Sequence, residues 1–474
     1  MTTRFHRRRF LKAAGMAGAA AVVQAFPVPA VLAEPSPSSK LSVAVIGCSN
    51  QGYFSVNDVA RLGERLIAFC DVDDGSIAVT NAKLARDYPE VKIDAIQHFF
   101  DYRKMLDAIH KQIDAVFVCI PDHHHAVAAM AAIKLNKPVY VEKPLAHSIG
   151  ECRALAAAAK KYNVTTQMGN QGHSGEGIRV LCEYIWAGAI GDVLETHSWA
   201  PTGRGGTGGR LPVKKVPAGL HWDEWIGPAA YRDYHERLHP GAWRSWWEFG
   251  DGSIGDWGCH NLDGAYLALN LDQPTSVEVL EQVGGSEERY PLINVIRWDF
   301  PARDGRPGVK VHWYDGYRGF GESIPRKLGE EALVAAQNRP PIALELENKF
   351  DRKFGDGGTI YVGEKGFMYS SNWCKSARIV PEEKHREFPR PAKKLPRLKG
   401  SHQQDFLRAV KEGKKSCSDF EYTSRLTEMV LLGCLAERAG RGQKVEWDGA
   451  NMKCTNLPEL NVLVNRQYRV GWEL

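Results

Sequence analysis

Three side chains in this sequence have the types needed to move a proton and steady a charge. Lys143 stands in Val141-Glu142-Lys143-Pro144, and Asp256 and His260 stand in Gly255-Asp256-Trp257-Gly258-Cys259-His260. Oxidising a secondary alcohol needs a base for the hydroxyl proton and a donor for the charge that gathers on oxygen. Histidine is the best-poised base near neutral pH. Asp256 and His260 are four apart, so on a helix they share a face, where the carboxylate can orient the imidazole or bias its proton affinity. Lys143 can hydrogen-bond the substrate oxygen and stabilise its developing charge. The Asp–His pair would also suit a metal, but no cysteine or carboxylate set completes such a site, and no metal is expected.

A second constellation could hold a dinucleotide. Gly47-Cys48-Ser49-Asn50-Gln51-Gly52 has the spacing G-x-G-x-x-G, with Ser49 at the middle glycine. The first glycine serves a tight turn, the middle position a close approach to a pyrophosphate, and the third the packing of a helix whose N-terminus faces the phosphates. Asp71 follows Gly52 by nineteen residues, at the end of the next apolar run, where a carboxylate would bond ribose hydroxyls. Val72-Asp73-Asp74 comes next, with no basic residue for a 2'-phosphate, which favours NAD over NADP. Ile120-Pro121-Asp122-His123-His124-His125 follows a further run. Its three histidines cannot all face one way, so a single functional His125 with solvated neighbours is expected rather than a metal tract.

These residues need a scaffold that gathers strand ends. Strand-sized apolar runs at Leu41 to Ile46, Leu66 to Asp71, Ile113 to Ile120, Pro138 to Glu142 and Val164 to Met168 alternate with helical segments such as Ala126 to Leu135. Such alternation predicts an α/β fold with a doubly wound, Rossmann-type parallel sheet over residues 41–168, whose ligand lies outside the strands' carboxyl ends. From residue 169 to 474 the texture changes to a second α+β domain. Eight tryptophans lie between Trp186 and Trp257, and a glycine-rich loop spans Gly203 to Gly209. Strands are expected at Ser276 to Glu281, Ile293 to Phe300 and Val309 to Tyr314, and helices at Gln403 to Lys411 and at Tyr422 to Arg438, stopped by Gly440.

With Glu142-Lys143-Pro144 in this setting, the chain resembles the Gfo/Idh/MocA family, named for glucose-fructose oxidoreductase, inositol dehydrogenase and a rhizopine-catabolism protein. Gly169-Asn170-Gln171, Trp225-Ile226-Gly227-Pro228 and the run from Trp243 through Arg244, Trp246, Trp247, Phe249 and Gly250 to His260 extend the resemblance. It implies a C-terminal domain on a large, mostly antiparallel open sheet, and a possible homo-oligomer. It assigns Lys143, Asp256 and His260 to catalysis, and Gly47, Ser49, Asn50, Gln51, Gly52, Asp71, Pro121, His125, Glu142, Lys143 and Asn170 to the nucleotide. Gln171, Arg244 and Trp247 join Lys143, Asp256 and His260 as candidate substrate residues. Aromatic faces stack on sugar rings, so the tryptophan-rich run favours a carbohydrate, part of that set serving as core.

The first residues carry Arg4, Arg7, Arg8, Arg9 and Lys12, then a short small-residue apolar stretch and Val31-Leu32-Ala33, a signal-peptidase pattern. Arg7-Arg8 with Phe10-Leu11-Lys12 resembles the twin-arginine export signal. Residues 1–33 therefore read as a Tat signal peptide and 34–40 as a linker, giving a periplasmic or otherwise secreted protein that engages the Tat machinery. The apolar stretch is too short for a stable membrane span. A net charge of +5 over 474 residues gives no nucleic-acid footprint. Ten cysteines without C-x-x-C spacing read as free thiols, as in a protein folded before export. Export favours a tightly held NAD, and three uses for it: net hydride exchange on a sugar, an NAD-dependent glycosidase working by transient oxidation and elimination, or a sugar-binding protein with no turnover.

Overall fold

The computed structural model describes residues 40–321 and 329–474. The expected export leader, and the linker up to residue 39, lie outside the described residues.

Strands β1 (Ser42–Ile46), β2 (Arg65–Cys70), β3 (Gln97–Phe99), β4 (Ala115–Val118), β5 (Val139–Val141) and β6 (Thr166–Met168) form a parallel sheet in the order β3-β2-β1-β4-β5-β6. β1, β4 and β5 are buried throughout, which is why they read as continuous apolar runs. β3 has no such run: it is a three-residue edge strand with two exposed residues, and the apolar pattern gave no sign of it. Helix α1 (Gln51–Arg61) follows β1, and α2 (Asp122–Lys134) follows β4.

The second sheet has nine strands: β7 (Val193–Trp199), β8 (Ser276–Val283), β9 (Ile293–Phe300), β10 (Val309–Gly316), β11 (Gly358–Gly363), β12 (Gly366–Ser371), β13 (Ala377–Val380), β14 (Lys444–Asp448) and β15 (Lys453–Cys454). Their order is β13-β12-β11-β7-β10-β9-β8-β14-β15, antiparallel except where β7 meets β10. The expected α/β fold with a mostly antiparallel second sheet is the observed one.

Three helices complete the frame: α3 (Gly252–Asn261), α4 (Pro341–Phe350) and α5 (Phe420–Ala439). α5 is capped by the Asp419 carboxylate and ends at Gly440. It is buried over most of its length because it serves both sheets. Leu426, Met429, Val430 and Leu432 share one apolar core with Val116, Val118 and Val141 of the first sheet and with Trp298, Val311 and Trp313 of the second. The Trp298 indole donates to the Met429 carbonyl at 3.0 Å. Burying such side chains contributes about 1.5–3 kcal/mol each, so the sheets are joined by a core rather than by a linker. All ten cysteines are free and most are buried. No helix among the described residues is long and apolar enough to cross a membrane.

Candidate active site

A cleft of about 580 Å³ opens at the carboxyl ends of β1, β2, β4 and β5, between the two sheets. Its floor begins where β1 gives way to α1. Gly47 sits at φ +79, and a Cβ there would lie 2.3 Å from the Cys119 carbonyl oxygen. A Cβ on Gly52 would lie 1.8 Å from the Gly47 carbonyl oxygen. Both positions therefore exclude any other residue, and Gly47, Ser49, Asn50 and Gln51 line the cleft before the first turn of α1. This is a cradle a phosphate can approach closely.

Asp71 closes that end. Its carboxylate accepts from the backbone N–H groups of Cys48 and Asp73, each at 3.1 Å. Burial pushes its pKa up to about 6, against the pull of those two hydrogen bonds.

The opposite end holds the charged groups. The Lys143 ammonium, just past β5, donates to the Asp256 carboxylate at 2.8 Å and to the Asp256 carbonyl at 2.6 Å. Arg204 and Arg244 donate to the same carboxylate at 3.0 and 3.1 Å. Burial would raise the Asp256 carboxyl, but the Lys143, Arg244 and Arg204 cations override it and hold the group well below the usual carboxylate range. Asp256 therefore fixes a cluster of three cations; it does not orient His260 by a hydrogen bond, but its charge does bias the imidazole's proton affinity, upward.

His260, one turn further along α3, is buried with Nδ1 unpartnered, its ring stacked on Trp373 at 4.6 Å. Burial, with the Lys143 charge, pushes its pKa well down against the pull of the Asp256 charge, leaving a neutral imidazole of weakened basicity. It is not among the residues that line the cleft.

Glu142 lies under Lys143. Its Oε1 accepts from Gln171 at 3.1 Å, Tyr140 at 3.2 Å and Gln51 at 3.4 Å, while Oε2 is buried with no partner. The orphaned oxygen and the glycine cradle fit a polar ligand lying along the strand ends. A dinucleotide would be held by the Gly47–Gln51 loop, Asp71, Pro121 and Glu142.

Several expectations need correction. His123 and His124 are not solvated neighbours of His125. Both are buried, with ring nitrogens 3.0 Å from the Trp225 carbonyl, and burial pushes His124 down to about 3. His125 does line the cleft, but its ring bridges the Pro144 and Ile120 carbonyls at 2.6 and 2.7 Å, bracing the backbone beside Lys143. Asn170, expected at the nucleotide, is fully buried off the cleft; its amide donates to Asp263 at 3.0 Å and accepts from Ser418. Gln171 serves Glu142 from behind rather than lining the cleft. Trp247 is turned away from the cleft, its ring centroid 3.6 Å from that of Tyr290. Trp222, Trp225, Trp243 and Trp246 form an apolar cluster with Tyr234, Leu238 and Phe249, of which only Trp225 and Trp243 reach the cleft.

Sequence reasoning missed Arg204, Trp373 and Trp472. Arg204 sits in the glycine-rich loop, where an isolated arginine at Gly203-Arg204-Gly205 was the available signal. Trp472 lines the cleft by packing on Arg103, whose guanidinium lies 3.5 Å from the ring centroid. Nothing in the local pattern marks it.

Residues 41–170 match the NAD-binding Rossmann-fold domain of the Gfo/Idh/MocA oxidoreductase family, and residues 196–290 match that family's C-terminal alpha/beta domain. Inositol 2-dehydrogenase of Salmonella typhimurium is 28% identical over 184 residues, 38% of this chain and 50% of that protein. Alpha-N-acetylgalactosaminidase of Shewanella oneidensis is 28% identical over 208 residues, 40% of this chain and 44% of that protein. The chain spans half or less of the length of the first curated relatives it matches. Aldose-aldose oxidoreductase from Caulobacter crescentus, solved with glycerol, superposes with a TM-score of 0.53 over 86% of this chain and 100% of that one, at 15% identity. That likeness is one of fold.

Proposed function

With both domains matched to the Gfo/Idh/MocA oxidoreductases, we propose that this chain transfers hydride between a secondary hydroxyl carbon of a sugar or glycoside and a bound nicotinamide dinucleotide, NAD rather than NADP. The observation that carries this reading is the Lys143–Asp256 pair at 2.8 Å, set across the cleft from the glycine cradle and Asp71. The dinucleotide, when bound, supplies the hydride acceptor. Asp256 and its own carbonyl engage two of the three Lys143 donors, leaving one for a substrate oxygen. There the ammonium stabilises the charge that develops as the hydroxyl loses its proton. His260 is the neutral imidazole that would take that proton, but burial and the Lys143 charge weaken its basicity and it lies behind the cleft wall, so its part requires substrate to reach past Asp256 and relieve that environment; the part given to Lys143 requires no movement. NAD is favoured because the cleft's lysine and arginines, Lys143, Arg204 and Arg244, are grouped on Asp256, and none accompanies Asp71.

The similarity to an alpha-N-acetylgalactosaminidase favours a second reading, in which oxidation is transient and ends in glycosidic cleavage. Product analysis after incubation with a glycoside separates the two. A keto sugar with reduced nucleotide supports net oxidation; a released reducing sugar with unchanged nucleotide supports cleavage; neither product from any sugar or glycoside overturns both.

The twin-arginine pattern at Arg7-Arg8 supports export with the dinucleotide already seated, since the periplasm offers no dependable supply. Protein purified from the periplasm should carry stoichiometric nucleotide by mass and absorbance. Protein that stays in the cytoplasm, or carries none and binds none tightly, would remove this part of the reading.

A further inference from the structure

The face of the nine-stranded sheet turned away from α3 and α5 carries a cluster that the cleft does not use. β7 and β10 are parallel neighbours in the middle of this sheet, and His197 and His312 are direct register partners on them. Their rings stack at 4.5 Å with an interplanar angle of 2°. Glu195, two residues before His197 on β7, points to the same side, as the two-residue strand period requires. One donor atom from each of Glu195, His197 and His312 lies within 4.8 Å of the other two.

We propose that Glu195, His197 and His312 form a binding site for a divalent transition metal of the zinc class. Two imidazoles and a carboxylate are a donor set that zinc accepts at three positions, leaving a fourth for water. The outer contacts suit this use. His312 Nδ1 lies 3.3 Å from the Thr196 carbonyl, which can only accept, so Nδ1 carries the hydrogen and Nε2 keeps the lone pair. His197 Nδ1 lies 3.2 Å from the Tyr314 hydroxyl, and its Nε2 lies 3.2 Å from Glu195 Oε2. In His197 the carboxylate can only accept, so Nε2 carries the hydrogen that an ion would displace, while the Tyr314 hydroxyl holds Nδ1 from behind, as the Thr196 carbonyl holds Nδ1 of His312. The His197 side chain is 12% exposed and that of Glu195 38%, and His312 is buried, so an ion can enter while the imidazoles stay fixed. Both strands are held by neighbours on either side, which makes the scaffold rigid.

Full-length protein stripped with a chelator should take up one zinc per chain by elemental analysis. Cobalt in its place should give the visible absorption of a low-coordinate nitrogen–oxygen site. His312→Gln and His197→Gln, checked for an intact fold by circular dichroism, should abolish the cobalt band, and Glu195→Gln should weaken zinc binding by about tenfold or more. Chelation should leave sugar turnover unchanged, because none of the three lines the cleft. Zinc uptake that survives both histidine substitutions, or no stoichiometric uptake by the folded protein, overturns the proposal.

Discussion

The two walls of the cleft are built on different physical terms. The Rossmann wall is largely a backbone construction: a glycine turn that no side chain can enter, strand ends that stop in register, and a carboxylate held by two N–H groups. The opposite wall is a side-chain construction, in which Asp256 gathers Lys143, Arg204 and Arg244 from three separate segments. Backbone walls are set by local sequence and tolerate little change. Side-chain walls depend on distant segments meeting, and they are where specificity can vary without disturbing the fold.

The sharpest way to test that division is to remove Lys143, a residue of the Rossmann wall that reaches across. Lys143→Ala should lower kcat by about 10²–10³, the cost of losing a donor aimed at a developing oxyanion, while nucleotide binding remains. Steady-state kinetics alongside nucleotide titration checks this. Parent-rate turnover would show that the two walls do not cooperate through this residue.

A smaller effect should come from pH at the backbone wall. Asp71 must be ionised to accept ribose hydroxyls, and its pKa is raised to about 6. Nucleotide affinity should therefore fall by about tenfold for each pH unit below about 6, measured by fluorescence titration. The same group acts on stability with the opposite sign. Its folded pKa is above its unfolded value, so its stabilising contribution is fully present below about 3.8 and is lost as pH rises through about 6. An affinity independent of pH between about 7 and 5 would break the assignment of Asp71.

The smallest effect should come from a tryptophan that belongs to neither wall. Trp247→Ala should leave kcat/KM unchanged and lower Tm, by about 2–4 °C for each kcal/mol of packing lost, because the ring packs on Tyr290 outside the cleft. A large loss of kcat/KM with unchanged Tm would return Trp247 to the substrate.

The contrast also explains what could be read from the sequence. Gly47, Asp71 and Lys143 were legible because strand ends in a doubly wound sheet fall at fixed places relative to apolar runs. The edge strand Gln97–Phe99 was not, since an exposed three-residue strand carries no apolar pattern. Asp256 was reached through the family resemblance, with type and spacing in agreement, but its hydrogen-bond partners were not foreseen. Helical spacing brings His260 to the same face, while the Lys143 and arginine charges, invisible to local spacing, take the carboxylate first. Asn170 and Trp247 were drawn toward the site by their neighbours in sequence, although side chains one residue apart can serve different cavities. Trp472 had no local signal at all, because its role arises only from contact with a residue 369 positions earlier.

That last contact sets an order of events. The Arg103 guanidinium donates to the Gly471 carbonyl at 3.0 Å across 368 residues of chain, and Trp472 then covers one end of the cleft. A nascent chain still on the ribosome short of this segment has the glycine cradle and Asp71 but an open wall. A chain cut before Gly471 would likewise keep the glycine cradle and Asp71 and lose the Trp472 ring from the cleft wall.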